Sequence, residues 1–162
     1  MDVGALARHV ARMVLIVGPC LDARPPRRGR LVTAAEYYLT DTPAAPDPAI
    51  DEPDALVAAY DGALVKLRDH FAREPSDRAV AAPGDVPMLL DEYLVTRILE
   101  LVVHADDLAS SIGEPMPEFG PVAMACTVGC LLEMARLRNG DLAVVRAIAR
   151  PERDDVHALR VL

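Results

Sequence analysis

Apolar residues recur at helical spacing along most of the chain, separated by proline-rich polar stretches. Leu6, Val10, Met13, Val14 and Val17 predict a first helix over Val3–Val17, with Asp2 as N-cap and Gly18-Pro19 as its stop. Residues 18–53 carry Pro19, Pro25, Pro26, Pro43, Pro46, Pro48 and Pro53. They predict a long irregular connection with one helical turn near Ala34–Tyr38, and connections of that length tend to be functional or mobile. Leu56, Tyr60, Leu64 and Leu67 give a second helix, capped by Asp54 and running to Arg73. A loop over Glu74–Pro87 leads to a third helix, Met88–Ile112, which Gly113 ends. A fourth runs over Val122–Leu137 and is closed by Asn139-Gly140; a short helix over Asp141–Ala149 and a polar tail follow. No strand run or internal repeat stands out. The pattern predicts an all-α fold, a helical bundle with long crossover loops.

Composition supports that reading. A chain of 162 residues makes one domain with a real core, and 52 % hydrophobic residues argue against disorder. Aromatics are 4 % and Trp is absent, so the core is built from Leu, Val, Ala, Ile and Met, which suits helices better than a sandwich of strands. A net charge of −8 excludes nucleic acid as an expected partner, since phosphate binding needs a basic surface. Arg24, Arg27, Arg28 and Arg30 form a local exception, read as a solvated loop or an anion contact. The odd set of Cys20, Cys126 and Cys130 argues against a disulfide framework and for a reducing compartment. No signal peptide is evident. The longest weakly polar stretch, Pro121–Leu132, falls short of the roughly 20 residues of a membrane span. The expectation is a soluble cytoplasmic protein with no membrane partner.

The chemistry concentrates in the third helix. Glu100 and His104 are four residues apart, so their side chains share a face and reach one point. Carboxylate oxygen and imidazole nitrogen are both zinc ligands. Tyr93, Thr96, Arg97, Asp107 and Ser111 fall on the same side, which is equally the polar stripe of an ordinary amphipathic helix in water. A tetrahedral site also needs a third ligand. His9, set in the apolar first helix, offers one; a lone histidine there is otherwise a surface or hydrogen-bonded core residue.

Thr96-Arg97-Ile98-Leu99-Glu100-Leu101-Val102-Val103-His104-Ala105-Asp106-Asp107-Leu108-Ala109 resembles the signature of the mycothiol-dependent maleylpyruvate isomerase N-terminal domain, a family of DinB-like metal-binding bundles. Val3–Arg12 is similar to the family's helix carrying the first metal ligand, and the ending Gly140–Arg153 resembles that of these actinobacterial proteins. The resemblance implies a four-helix bundle holding a divalent metal, usually zinc, on His9, Glu100 and His104, with positions left open for water or a thiolate. It implies Asp107 as the acceptor that orients a ligand, and Arg97 as a ligand-orienting or anion-contacting residue. The implied chemistry is thiol-dependent: mycothiol adds to a cis alkene, permits rotation and leaves, or a thiol passes to an electrophile. Its partners are a small-molecule thiol and an electrophilic substrate. Two departures shape the expectation. The given sequence starts almost directly at the His-bearing helix, so either the true start lies upstream or the bundle lacks one wall, and a missing wall predicts an exposed Leu/Val face and a homo-oligomer. The sequence also does not extend to the isomerase's C-terminal domain, so the expected chemistry is isomerase or transferase-like rather than the isomerase reaction alone. A metal-dependent hydrolase and a non-catalytic, self-associating bundle are the alternatives.

Overall fold

The computed structural model describes residues 2–26, 29–41, 46–150 and 155–162. Helix α1 spans Val3–Leu15 and begins as expected, Asp2 Oδ1 accepting from the Ala5 N–H at 2.7 Å. Gly18-Pro19 does not stop it. After a single break at Ile16 the chain continues as α2, Val17–Asp22. Pro19 falls in the first turn of α2, where its missing N–H costs little. Val3–Asp22 is therefore a 20-residue stretch of mean hydropathy 1.3, long and apolar enough by length and composition to cross a membrane. It is longer than Pro121–Leu132, the stretch the sequence singled out. In this fold the stretch carries Arg8, His9 and Arg12 and packs one side against the helices Pro53–Phe71 and Leu90–Ile112.

The long connection holds one short helix, α3 (Ala34–Tyr37), as predicted. A capping box fixes it: Thr33 Oγ1 accepts from the Glu36 N–H, and Glu36 accepts from the Thr33 N–H. Glu92 Oε2 also takes the Ala34 N–H at 2.6 Å, tying α3 to the third long helix. Arg30 pairs with Glu36; Arg27 and Arg28 lie outside the described residues. Helix α4 spans Pro53–Phe71, with Glu52 rather than Asp54 at the N-cap and Asp54 inside the first turn. Only Leu67 of its predicted stripe is fully buried, so α4 is peripheral.

The loop predicted over Glu74–Pro87 contains an antiparallel hairpin, β1 (Ala79–Ala82) and β2 (Val86–Leu89), in register Ala79 with Leu89 and Ala82 with Val86. Gly84 and Asp85 take left-handed φ of 82° and 64° at its turn. Val80, Ala82 and Met88 enter the core beside Val14, Leu21 and Tyr93. Helix α5 then spans Leu90–Ile112 and ends at Gly113 with φ 73°. Helices α6 (Pro121–Asn139) and α7 (Asp141–Ala149) follow, then a 3₁₀ turn over Asp155–Leu159 that seats Val161 in a second core with Leu99, Cys130, Met134 and Val144.

The long helices pack in the spatial order α4, α1, α5, α6. Helix α5 is thus covered on two sides, contributing Leu90 and Tyr93 to one core and Leu99 to the other. This is a mostly helical fold with one small hairpin, and the side of α5 that carries its polar stripe faces α1.

Candidate metal centre

The polar stripe of α5 is not a solvated face. Tyr93, Thr96 and Arg97 are buried, Glu100 and His104 are half-buried, and only Asp107 and Ser111 at the far end are exposed. The opposing wall is α1, whose own polar residues, His9 and Arg12, point the same way. Met13, one turn on, closes the interior beneath them and is 1 % exposed.

Three ligand-type atoms converge there. His104 Nε2 lies 3.0 Å from Glu100 Oε2, and His9 Nε2 lies 3.5 Å from the same oxygen. The three donors fall within 4.8 Å of one another. The imidazole rings meet edge to face, centroids 4.6 Å apart at 89°. Ligands at zinc–nitrogen and zinc–oxygen distances of about 2.0–2.1 Å in a tetrahedron sit about 3.3 Å from each other. The spacing therefore fits a small divalent ion with little rearrangement.

The outer nitrogens have carboxylate partners. His104 Nδ1 is 3.0 Å from Asp107 Oδ2, and His9 Nδ1 is 3.2 Å from Asp47 Oδ1. A carboxylate at Nδ1 holds the proton on that nitrogen and leaves the Nε2 lone pair for a metal. Asp47 is itself held by Arg12, whose Nε is 3.0 Å from Oδ1.

Electrostatics favour ionised Glu100. Burial is the strongest single influence and pushes its pKa up. The bond from His104, the nearby Tyr38 hydroxyl and the charges of His104 and Arg97 outweigh it and bring the carboxyl down to about 2. His104 is shifted up, first by its bond to Glu100, against burial and with help from Asp107. Tyr38 comes from the end of α3, where its hydroxyl donates to the Thr96 carbonyl at 2.9 Å beside Glu100.

Arg97 sits one turn below Glu100 and is 6 % exposed. Its Nε donates to Thr96 Oγ1 at 3.0 Å, Nη1 reaches Met13 Sδ at 3.3 Å, and the guanidinium lies 5.3 Å from the centre of the Tyr93 ring. It meets neutral groups and acts on the centre through its charge. Cys20 lies inside α2. Its Sγ donates to the Ala81 carbonyl at 3.3 Å, and burial pushes its pKa up. His70 is paired distantly with Asp22, away from the three ligands.

Sequence reasoning missed Asp47, Tyr38 and Arg12. Asp47 and Tyr38 reach the centre from a connection with no periodicity, so no spacing relates them to α5. The one available signal was the length of that connection.

The family model for the mycothiol maleylpyruvate isomerase N-terminal domain matches residues 2–109, which include all three ligand-type residues and both carboxylates behind them. Comparison with curated proteins and with solved structures gives no match. With two thirds of its length covered by that match, the chain belongs to the mycothiol maleylpyruvate isomerase N-terminal domain family.

Proposed function

We propose that this protein binds one divalent metal, zinc by its donor set, on His9, Glu100 and His104, and uses it in thiol-dependent isomerase or transferase chemistry. The observation that carries the reading is the convergence of two imidazole Nε2 atoms and one carboxylate oxygen with a carboxylate behind each imidazole. Three protein ligands leave a tetrahedral position open, which is the arrangement of catalytic zinc rather than structural zinc. Bound there, the metal supplies Lewis acidity that lowers the pKa of a coordinated thiol or water toward neutrality.

The chain's own residues prepare that position. Glu100 stays ionised at neutral pH because His104, Tyr38 and Arg97 oppose the effect of burial. Asp107 keeps the His104 proton on Nδ1, so Nε2 faces inward. Arg97 is a positioning residue that works through Glu100. The partners implied are a small thiol of the mycothiol type and an electrophilic small molecule.

Elemental mass spectrometry of the purified protein tests the reading. About one zinc per chain is expected, lost in His9→Ala, Glu100→Gln and His104→Ala, whereas Asp107→Ala weakens zinc about 10-fold or more. Zinc-loaded protein should then consume a thiol in the presence of an activated alkene. A wild-type chain that takes up no metal after reconstitution would overturn the proposal.

A further inference from the structure

His9 Nδ1 has two competing neighbours. Asp47 Oδ1, an acceptor, lies 3.2 Å away, and Arg12 Nη2, an obligate donor, also lies 3.2 Å away. The two demand opposite tautomers. If Arg12 donates to Nδ1, the ring proton must be on Nε2, where it points at Glu100 and blocks a metal. If Nδ1 donates to Asp47, Nε2 carries its lone pair toward Glu100 and His104. His104 meets no such conflict among the described residues, its Nδ1 facing the acceptor Asp107.

Asp47 belongs to neither α1 nor α5. It comes from the stretch between α3 and α4, and a second carboxylate of that stretch, Asp51, lies 3.3 Å from Arg8 Nη1 one turn back on α1. The His9–Asp47 contact is largely shielded, since the His9 side chain is 16 % exposed and that of Asp47 35 %. The Asp51–Arg8 contact is open to water, with Asp51 90 % exposed, and exposed pairs contribute little.

We propose that Asp47 is the positioning residue that selects the metal-binding tautomer of His9. Loading the metal and seating residues 46–52 on α1 are then one coupled event. The inference rests on the metal reading above. Coupling is reciprocal: a carboxylate that favours the metal-bound ring is itself held by that ring when the metal is bound. The stretch before α4 is consequently a segment whose order reports occupancy of the centre.

Zinc affinity, measured by competition with a chromophoric chelator, and amide hydrogen exchange of residues 49–52 test this together. Asp47→Ala is expected to weaken zinc about 10- to 100-fold, the usual effect of losing the partner of a ligating histidine. Asp51→Ala, which removes an exposed contact of the same stretch that contributes little and does not touch His9, should leave affinity near wild type. Zinc should slow exchange at 49–52 in wild type and not in Asp47→Ala. Nitrogen-15 spectra of zinc-loaded wild type should show the His9 proton on Nδ1. Asp47→Asn serves as a second variant, keeping an acceptor oxygen without the charge, and should fall between the two. Wild-type affinity in Asp47→Ala, or equal loss in Asp51→Ala, would overturn the assignment while leaving the metal reading intact. No zinc uptake by wild type would overturn both.

Discussion

Glu100 and His104 stabilise each other's charged forms, and that has a pH signature in the metal-free protein. His104, with its pKa raised above the ordinary 6.5, contributes fully below that value and loses its contribution as pH rises through the raised one. Glu100, held at about 2 against an ordinary 4.5, contributes above 4.5 and loses it as pH falls toward 2. The pair therefore supports the fold most between those two ordinary values. In chelator-treated protein, Glu100→Gln is expected to lower the melting temperature more near pH 6 than near pH 9. An equal drop at both would mean that the charge pair contributes nothing. At this scale the sequence was informative where helix geometry applies: Glu100 and His104 are one turn apart, and every helix brings such residues together. It was silent on whether their stripe faced water. That depended on α1 lying against it.

The elements show the same division. The long helices declare themselves through apolar period and glycine stops, and the predicted α5 and α6 lie within two residues of the observed ones. The hairpin does not. Ala79-Val80-Ala81-Ala82 has little β-propensity, and its strands are short. The signal that was present is Pro83-Gly84-Asp85 between apolar residues, a turn sequence whose last two residues adopt left-handed φ. The hairpin forms because α2 and α5 bury one side of it. Met88, 0 % exposed, is the measure of that. Met88→Ala is expected to cost about 2–5 kcal/mol in urea unfolding. Leu64→Ala, on the open side of α4, should cost under about 1 kcal/mol. Similar losses for the two would place the hairpin outside the core.

The whole molecule leaves apolar residues in water. Val122, Val128 and Leu132 on α6 are exposed, and Leu142, Val145 and Ile148 recur at helical spacing on α7. Exposed apolar residues clustered on a helix face are a feature of association sites. The expected outcome is a concentration-dependent homo-oligomer. Light scattering on a sizing column should give a mass above the 17.5 kDa of one chain. Val128→Glu with Val145→Glu should return it to the monomer without loss of helicity, because both positions are exposed. A wild type that stays monomeric across concentrations would remove the expectation. The sequence reading expected such a face from a missing helix; the exposed residues lie on α6, α7 and the outer side of α4, where Val57 and Val65 stand free.

By itself the sequence determined the class of fold, the helix ends at Gly113 and Gly140, and the Glu100–His104 pair. Each follows from local rules, a residue's period or conformational preference, that act over one or two turns. His9 stood as a candidate beside its surface or core alternative, and resemblance to a family raised it to a ligand. Only the tertiary structure decided that the α5 stripe faces α1, that Arg97 is buried beneath Glu100, and that Tyr38 and Asp47 arrive from an irregular connection. Those placements arise from contacts between residues dozens of positions apart, such as Tyr38 with Thr96 and Asp47 with His9. Such contacts are set by how helices pack, and no periodicity along the chain encodes them.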